Sequence, residues 1–191
     1  MGTKRDLDSQ AILNAAVELA EERGLENISL LQVAERLGVK PPSLYNHLGG
    51  LQEISSGIAK LAISRLGDTI RDAAVGRSKG DALAAIASAY RRFAKENPEL
   101  YKAILRFHDY DDGGIQEAGH AVVRILYQVM EPYRFSKEET INFVRGFRSA
   151  LHGFISLEEA GFFQSTEANV DVSYEQLVLH MISSLRAEED A

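Results

Sequence analysis

One stretch of this chain constrains its fold more than any other: residues 29–48, with the sequence SLLQVAERLGVKPPSLYNHL. Val33, Ala34 and Leu37 recur at helical spacing, which gives the first part of the stretch one apolar face. Gly38 follows directly, and glycine takes the left-handed conformation that ends a helix without a steric penalty. The pattern therefore predicts a short helix that ends at Gly38 and leads into a tight turn.

The second part of the stretch predicts another short helix, which begins at a pair of prolines. Pro41 and Pro42 fit only the first turn of a helix, where their missing amide hydrogens would have no partner. Ser43, Leu44 and Tyr45 continue this helix. Two short helices joined by a tight turn form a helix-turn-helix, whose second helix lies in the major groove of DNA.

The helices on the N-terminal side of the turn carry recognisable ends. Asp8 or Ser9 caps the first helix by accepting amide hydrogens of its first turn, and Gly24 ends it. Ser29 is the predicted N-cap of the next helix, and Gln32, three residues later, completes a capping box.

These residues carry a resemblance to a known family. Residues 34–39 (Ala-x-x-Leu-Gly-Val) and 42–47 (Pro-Ser-Leu-Tyr-Asn-His) resemble the DNA-binding segment of TetR-type transcriptional repressors, and residues 11–24 are similar to the family's first helix. Residues 149–162, which include a His-Gly pair, resemble a regulatory-domain motif of one TetR subgroup. The resemblance implies a ligand-responsive transcriptional regulator, by family a repressor, whose partners are a double-stranded DNA operator and a small-molecule effector.

The side chains around the second helix of the motif are the predicted DNA contacts. Lys40 stands where that family commonly has a capping or phosphate-binding residue; it has no acceptor for capping, so it is either a cation for phosphate or a solvent-exposed side chain. Tyr45 either contacts DNA or braces the helix as a half-buried ring. The family's hydroxyl at the position of Ser29 often touches the DNA backbone, whereas a cap needs no DNA. Lys4 and Arg5 belong to an arm that reaches phosphate or the minor groove, or to a solvated tail. The predicted DNA-contact set is Lys4, Arg5, Ser29, Lys40, Pro41, Ser43, Tyr45, Asn46 and His47.

The charge of the chain predicts modest DNA affinity. The formal net charge is −7, and residues 1–50 hold five basic against seven acidic side chains. Phosphate contacts are local, so a few cations on one face still permit specific binding. Leu51 stands where the family often has a phosphate-binding lysine, which removes a further cation.

Helical periodicity continues through the rest of the chain and predicts an all-α fold. A long helix is predicted over 51–74, and it connects the N-terminal helix-turn-helix part of the chain (the head) to the remaining helices (the body). A turn at 76–80 precedes the next helix, which Ser78 or Asp81 caps. Residues 164–172 are a predicted polar linker. Further helices are predicted over 81–95, 100–107, 115–130, 137–163 and 174–185. The predicted architecture is a three-helix helix-turn-helix head (DNA-binding domain, 1–52) joined by the long helix to a helical ligand-binding and dimerisation body (53–191).

The resemblance also implies how the body works. In that family the last two long helices pair with their copies across a two-fold axis; here they would be 137–163 and 174–186. A homodimer of this kind would bind a near-palindromic operator. The middle helices would enclose an effector, and His152 is either its polar anchor or a satisfied core histidine. The residues that either line this site or belong to the plain core are Tyr90, Phe93, Tyr101, Leu105, Phe107, Leu126, Met130, Phe147 and His152.

No arrangement typical of catalysis stands out, so no catalytic residue, metal or cofactor is predicted and we expect no enzyme. The acidic residues and histidines of 108–120 match no metal-ligand spacing, and the chain has no cysteine. No apolar run approaches the ~18 residues of a membrane span, and the N-terminus has no signal-peptide pattern, so we expect a cytoplasmic protein that binds no membrane. The alternative function is a helical protein-interaction module that retains the helix-turn-helix only as structure.

Overall fold

The computed structural model describes residues 7–47, 49–106, 112–165 and 167–189, with side chains described as far as residue 185. Within these ranges the secondary structure is helical and contains no strand. The α-helices are α1 (Ser9–Arg23), α2 (Leu30–Leu37), α3 (Leu51–Ala74), α4 (Lys79–Glu96), α5 (Pro98–Arg106), α6 (Gly113–Met130), α7 (Lys137–Glu159) and α8 (Val170–Glu189). Short 3-10 helices cover Leu25–Asn27, Pro41–Asn46 and Glu131–Tyr133. The prediction of an all-α fold is confirmed.

The chain forms two compact units. The first unit combines Met1–Arg65 with Asn97–Ala118, and the second combines Leu66–Glu96 with Gly119–Ala191. In the first unit α1 packs against α2 and α5, and in the second unit α4 packs against α7 and α8. Among the described residues, no helix combines the length and the apolar character that crossing a bilayer requires.

The predicted ends of the first two α-helices are confirmed. The side chain of Asp8, rather than that of Ser9, caps α1 by accepting a hydrogen bond of 2.6 Å from the amide of Ala11. Gly24 follows α1 with φ 90°, and Gly38 follows α2 with φ 67°. Both conformations are favourable for glycine and costly for other residues.

The boundaries of the last two helices differ from the prediction. α7 ends at Glu159 instead of 163, because Gly161 (φ 75°) donates to the carbonyl of Glu158 and Phe162 donates to that of Leu157. This pair of bonds is the Schellman closure of a helix. α8 begins at Val170 instead of 174, inside the predicted linker over 164–172, because the side chain of Asn169 accepts hydrogen bonds from the first-turn amides.

The second unit has an alanine-rich centre that admits close helix packing. On α4, Ala82, Ala87 and Ala94 have no exposed surface, and Tyr90 and Phe93 are 5 % exposed. α7 contributes Phe147 and Ile155, also without exposed surface. Small residues on one helix let a neighbouring backbone approach, so larger side chains from α7 and α8 complete the core.

Candidate DNA-binding and effector sites

The frame of the helix-turn-helix is set by two helix ends. At the start of α2 the Ser29 hydroxyl accepts from the amide of Gln32 (3.3 Å), and the Gln32 side chain accepts from the amide of Ser29 (2.8 Å). At its end Gly38 donates to the carbonyl of Glu35 and Val39 donates to that of Ala34. The capping box and the Schellman closure fix where α2 begins and where the turn leaves it.

The second helix of the motif is a 3-10 helix, Pro41–Asn46, which we call the recognition helix. Its amides pair three residues back: Ser43 donates to the carbonyl of Lys40 and His47 donates to that of Leu44, both over 2.9 Å. The two prolines occupy the first positions of this helix, where an amide hydrogen would have no partner within the helix. A helix in this place was predicted, but its tighter winding was not.

The recognition helix buries one residue and exposes its neighbours. Leu44 is 1 % exposed, whereas Tyr45 is 60 % exposed, which favours the DNA-contact interpretation of Tyr45 over the half-buried brace. Of the other predicted contacts, Lys40, Asn46 and His47 are exposed, and Ser29, Pro41 and Ser43 are half-buried. Lys4 and Arg5 lie outside the described residues.

Two side chains that sequence reasoning missed hold the C-terminal end of the recognition helix. The hydroxyl of Ser9, at the start of α1, donates to the carbonyl of His47 over 3.2 Å. The carboxylate of Glu53, in the first turn of α3, accepts a hydrogen bond from the amide of Gly49. These contacts fix the recognition helix against α1 and α3, and the only signal for them was that both residues lie near helix starts.

The electrostatics of the head leave few cations for phosphate. The guanidinium of Arg36 lies 3.2 Å from the carboxylate of Glu18 and 2.5 Å from that of Glu22, and it lowers the pKa of Glu22. Lys40 is exposed and forms no ion pair with any residue that the structure describes. Lys40 is therefore the cation beside the recognition helix that phosphate can use without breaking an ion pair.

In the second unit the predicted effector residues Tyr90 and His152 come together. The hydroxyl of Tyr90, on α4, lies 2.6 Å from Nε2 of His152, on α7, and the rings meet edge-on with centroids 5.2 Å apart. Tyr90 is 5 % exposed, whereas His152 is half-buried. The same hydroxyl lies 3.1 Å from Nδ1 of His152, so the phenol holds the imidazole closely while part of the ring stays accessible.

The other predicted lining residues are divided between the two units. Phe93, Leu126, Met130 and Phe147 are buried in the second unit. In the first unit Tyr101 is buried and Leu105 is 38 % exposed, and Phe107 lies outside the described residues.

Met130 also lines a cavity of about 420 Å³ within the second unit, whose other lining residues were not predicted. They are Tyr127, Glu131, Phe135, Lys137, Thr140 and Ile141.

A cluster of charged side chains on α4, α7 and α8 was also missed. Arg91, which is 9 % exposed, donates to both carboxylate oxygens of Glu158 (2.6 and 2.7 Å) and lies 2.7 Å from Asp171. Lys95 lies 2.9 Å from Glu158, and the ring centroid of Tyr174 is 4.9 Å from the guanidinium carbon. The hydrogen bonds from Arg91 lower the pKa of Glu158.

In the part of the acidic segment near His120 that the structure describes, there is no metal site. Among the residues with described coordinates, no three histidine, aspartate or glutamate side chains come close enough together to hold a metal ion. His120 is exposed, and residues 108–111 lie outside the described ranges.

The N-terminal and the C-terminal part of the chain each match a family of known proteins, and the two families are related. A family described as "Bacterial regulatory proteins, tetR family" matches residues 12–51, and one described as "Tetracyclin repressor-like, C-terminal domain" matches residues 83–181. The uncharacterized HTH-type transcriptional regulator YobS of Bacillus subtilis is 33 % identical over 87 % of each chain. The tetracycline repressor protein class C of Escherichia coli is 30 % identical over 63 % of this chain and 62 % of its own. A solved structure described as "Crystal structure of putative regulatory protein SCO4313" is similar in fold, with 22 % sequence identity and a TM-score of 0.77 over 91 % of this chain and 94 % of its own.

Proposed function

The chain belongs to the TetR family of ligand-responsive, DNA-binding transcriptional regulators, and on that premise we propose that it is a repressor that binds a near-palindromic operator as a homodimer. The observation that carries the proposal is the recognition helix: Leu44 anchors it, while Tyr45, Asn46 and His47 stand exposed beside an unpaired Lys40. A purely structural helix-turn-helix has no need to expose a large aromatic ring at this position. A regulator of this kind acts where the chromosome is, in the cytoplasm, and we assign it no catalytic activity.

Each exposed group has a role in this proposal. The ammonium of Lys40 neutralises a phosphate, and the hydroxyl of Tyr45 donates to another while its ring contacts a thymine methyl. The side chains of Asn46 and His47 offer donors and acceptors to base edges in the major groove. Ser29, Pro41 and Ser43 approach the backbone, and the arm with Lys4 and Arg5 adds sequence-independent affinity. In functional terms the DNA-binding domain is residues 1–52, and the effector and dimerisation domain is residues 53–191.

Exposed apolar residues near the end of α7 and along α8 support the homodimer. Leu157 is 45 % exposed, Phe162 72 %, and Val172 and Leu179 51 % each. Val172 and Leu179 are seven residues apart, so they lie on one face of α8. An apolar surface of this kind is typical of an interface. Sedimentation at micromolar concentration tests it: the wild type should be dimeric and Leu179→Glu monomeric, and a monomeric wild type would contradict the proposal.

We place one contact of the effector at Tyr90 and His152. The family membership and the similarity to a tetracycline repressor support a small-molecule effector. A half-buried imidazole held by a buried phenol is a suitable polar anchor among apolar walls. Such an effector changes operator affinity only by the difference in its affinity for the two conformations of the regulator. His152→Ala should reduce the effect of the ligand on DNA binding, and an unchanged effect would remove His152 from the site.

The test of the proposed function is selection of bound duplexes from a random DNA pool at low salt. The wild type should enrich a near-palindrome with half-sites one helical turn apart, about 34–36 Å. Tyr45→Ala should abolish the enrichment. Gln128→Ala, an exposed position on α6 outside every proposed surface, is the control and should enrich the same sequence.

A folded protein that enriches no sequence would favour the alternative, a helical protein-interaction module. The net charge of −7 is the observation behind that alternative, because an acidic chain has little non-specific attraction to DNA. Equal enrichment by wild type and Tyr45→Ala would show that DNA is read elsewhere on the chain.

A further inference from the structure

The cavity of about 420 Å³ in the second unit lies where α6 ends and α7 begins. Its apolar walls come from Tyr127 and Met130 of α6, Phe135 of the connection, and Ile141 of α7. Met130 is 1 % exposed, so it closes the cavity from beneath rather than at its rim. The volume and the apolar walls fall within the range of small-molecule sites in proteins. The cavity shares only Met130 with the predicted effector residues.

The connection between the two helices supplies one wall of the cavity through Phe135. Arg134 takes a left-handed conformation (φ 59°), which reverses the chain after the 3-10 helix Glu131–Tyr133. Tyr133 is 6 % exposed, and its ring stacks on that of Phe135 with centroids 5.6 Å apart. The ammonium of Lys79 lies 5.2 Å from the Tyr133 centroid. The wall at Phe135 is therefore anchored to a buried residue, and the site is preformed, which reduces the entropic cost of binding.

The polar groups of the cavity define the charge of its ligand. Lys137 and Thr140 lie one turn apart in the first turns of α7, so the ammonium and the hydroxyl stand on the same side of the helix. The helix dipole adds positive potential at this end. Glu139, in the same turn, directs its carboxylate back to the amide of Ser136 (2.7 Å). One anionic group is therefore favoured beside Lys137.

The opposite side of the cavity limits the ligand to that single charge. Glu131 lines the cavity from the C-terminal end of α6, and its carboxylate repels a second negative group. The rest of the lining is apolar and suits an aromatic or branched hydrocarbon body.

We propose that this cavity binds an amphipathic monoanion: an apolar body against Tyr127, Met130, Phe135 and Ile141, with one carboxylate or sulfonate at Lys137 and Thr140. Binding itself needs no DNA. Only its consequence, a change in operator affinity, rests on the proposed function.

The probe for the test is 8-anilino-1-naphthalenesulfonate, an aromatic monoanion. The chain contains no tryptophan, so Phe135→Trp places a single tryptophan in the cavity wall while keeping it aromatic. Binding of the probe to the full-length Phe135→Trp protein, without DNA, should quench that tryptophan by energy transfer. Adding Lys137→Glu should weaken binding of the probe about tenfold, because the attraction between the ammonium and the sulfonate becomes repulsion at contact distance. The uncharged analogue N-phenyl-1-naphthylamine should lose much less affinity.

Arg124→Glu is the matched control, because Arg124 is an exposed cation on α6 that does not line the cavity. In the Phe135→Trp background it should leave the affinity for the anionic probe within about twofold, since an exposed, distant charge is screened. Equal losses in the two charge variants, or no loss with Lys137→Glu, would overturn the proposal. If circular dichroism shows that Lys137→Glu does not fold, Lys137→Gln replaces it, with a smaller loss expected. If the probe binds as expected but operator binding does not respond, the site stands and its regulatory consequence fails.

Discussion

Two arginines, one in each compact unit, pair with two carboxylates each, and their surroundings differ. In the first unit Arg36 joins Glu18 and Glu22, whose side chains are 63 % and 52 % exposed. In the second unit the side chain of Arg91 is 11 % exposed and that of its partner Glu158 is 16 % exposed. Exposed ion pairs contribute little because water competes for both charges, whereas removing one partner of a buried pair leaves the other desolvated.

The difference shows which kind of interaction stabilises each unit. The helix-turn-helix of the first unit depends mainly on helix caps, a glycine turn and the anchoring Leu44, which are local features, with one longer-range hydrogen bond from Ser9 to His47. The second unit joins α4, α7 and α8 through an ion cluster whose members are far apart in the sequence. Among the interactions around the helix-turn-helix, the caps should therefore have the largest effect on stability, and in the second unit the Arg91 cluster should have a larger effect than a cap.

The largest expected effect comes from breaking the buried cluster. Arg91→Ala should lower the free energy of unfolding by up to about 3 kcal/mol, because the Glu158 carboxylate loses its bidentate partner in a poorly hydrated place and keeps only the more exposed Lys95. Urea denaturation followed by circular dichroism measures this. Arg92→Ala is the matched control, since Arg92 is the next residue on α4 and is exposed. Similar losses in the two variants would contradict a special role for Arg91.

The second-largest expected effect is a pH dependence of the unfolding free energy, which Glu158 of the Arg91 cluster should produce. Arg91 lowers the pKa of Glu158 from its ordinary value of 4.5. A carboxyl group whose pKa is lower in the folded state stabilises the protein above the unfolded pKa, and this stabilisation is lost as pH falls through the folded value. The difference in unfolding free energy between wild type and Glu158→Gln should therefore shrink below pH 4.5. A difference that stays constant down to pH 3 would mean that the charge of Glu158 does not stabilise the fold.

A smaller effect is expected from the caps, and it should be similar in both units. Ser29→Ala and Ser136→Ala each remove the hydroxyl of a capping box, so each should cost about 1 kcal/mol. Ser29→Thr, which keeps an acceptor oxygen, should restore most of the loss. The head variant should also weaken operator binding, because α2 positions the turn before the recognition helix. A head variant as stable as the wild type would contradict the view that caps fix this unit.

The smallest effect is expected from the exposed arginine. Arg36→Ala should leave the urea midpoint within the error of measurement at physiological salt, because both partner carboxylates are well hydrated. Repeating the titration at low salt should bring out any residual attraction. A loss as large as that of Arg91→Ala would show that burial does not separate the two arginines.

Much of the fold could be predicted because its signals are local. Short local patterns, each within four residues, predict four helix ends, and the structure has a helix end at each of them: Ser29 with Gln32, Gly24, Gly38, and Pro41 with Pro42. The signals that were missed were of the same kind but less distinctive: Gly161 ends α7 and Asn169 begins α8. The exposed face of the recognition helix was predicted because Leu44 marks the buried one.

The sites could be predicted only where they follow from local patterns. The Arg91 cluster consists of charged residues on amphipathic helices, which the sequence alone does not distinguish from a solvated face. The cavity beside Lys137 is lined by apolar residues that the sequence alone does not distinguish from ordinary core, together with three polar ones. Tyr90 and His152 were predicted as candidates individually, but the distance of 2.6 Å between them depends on how α4 packs against α7.

The sequence by itself determined the all-α class, the helix-turn-helix and most helix ends, because hydrophobic periodicity and capping act over one or two turns. Only the tertiary structure decided which arginine is buried, which phenol meets the imidazole, and where a cavity remains. The first two outcomes depend on contacts between residues 60 or more positions apart, Arg91 with Glu158 and Tyr90 with His152, and the cavity depends on how the end of α6 packs against the start of α7. Side chains become desolvated, and their charges gain weight, only when the helices that carry them pack together.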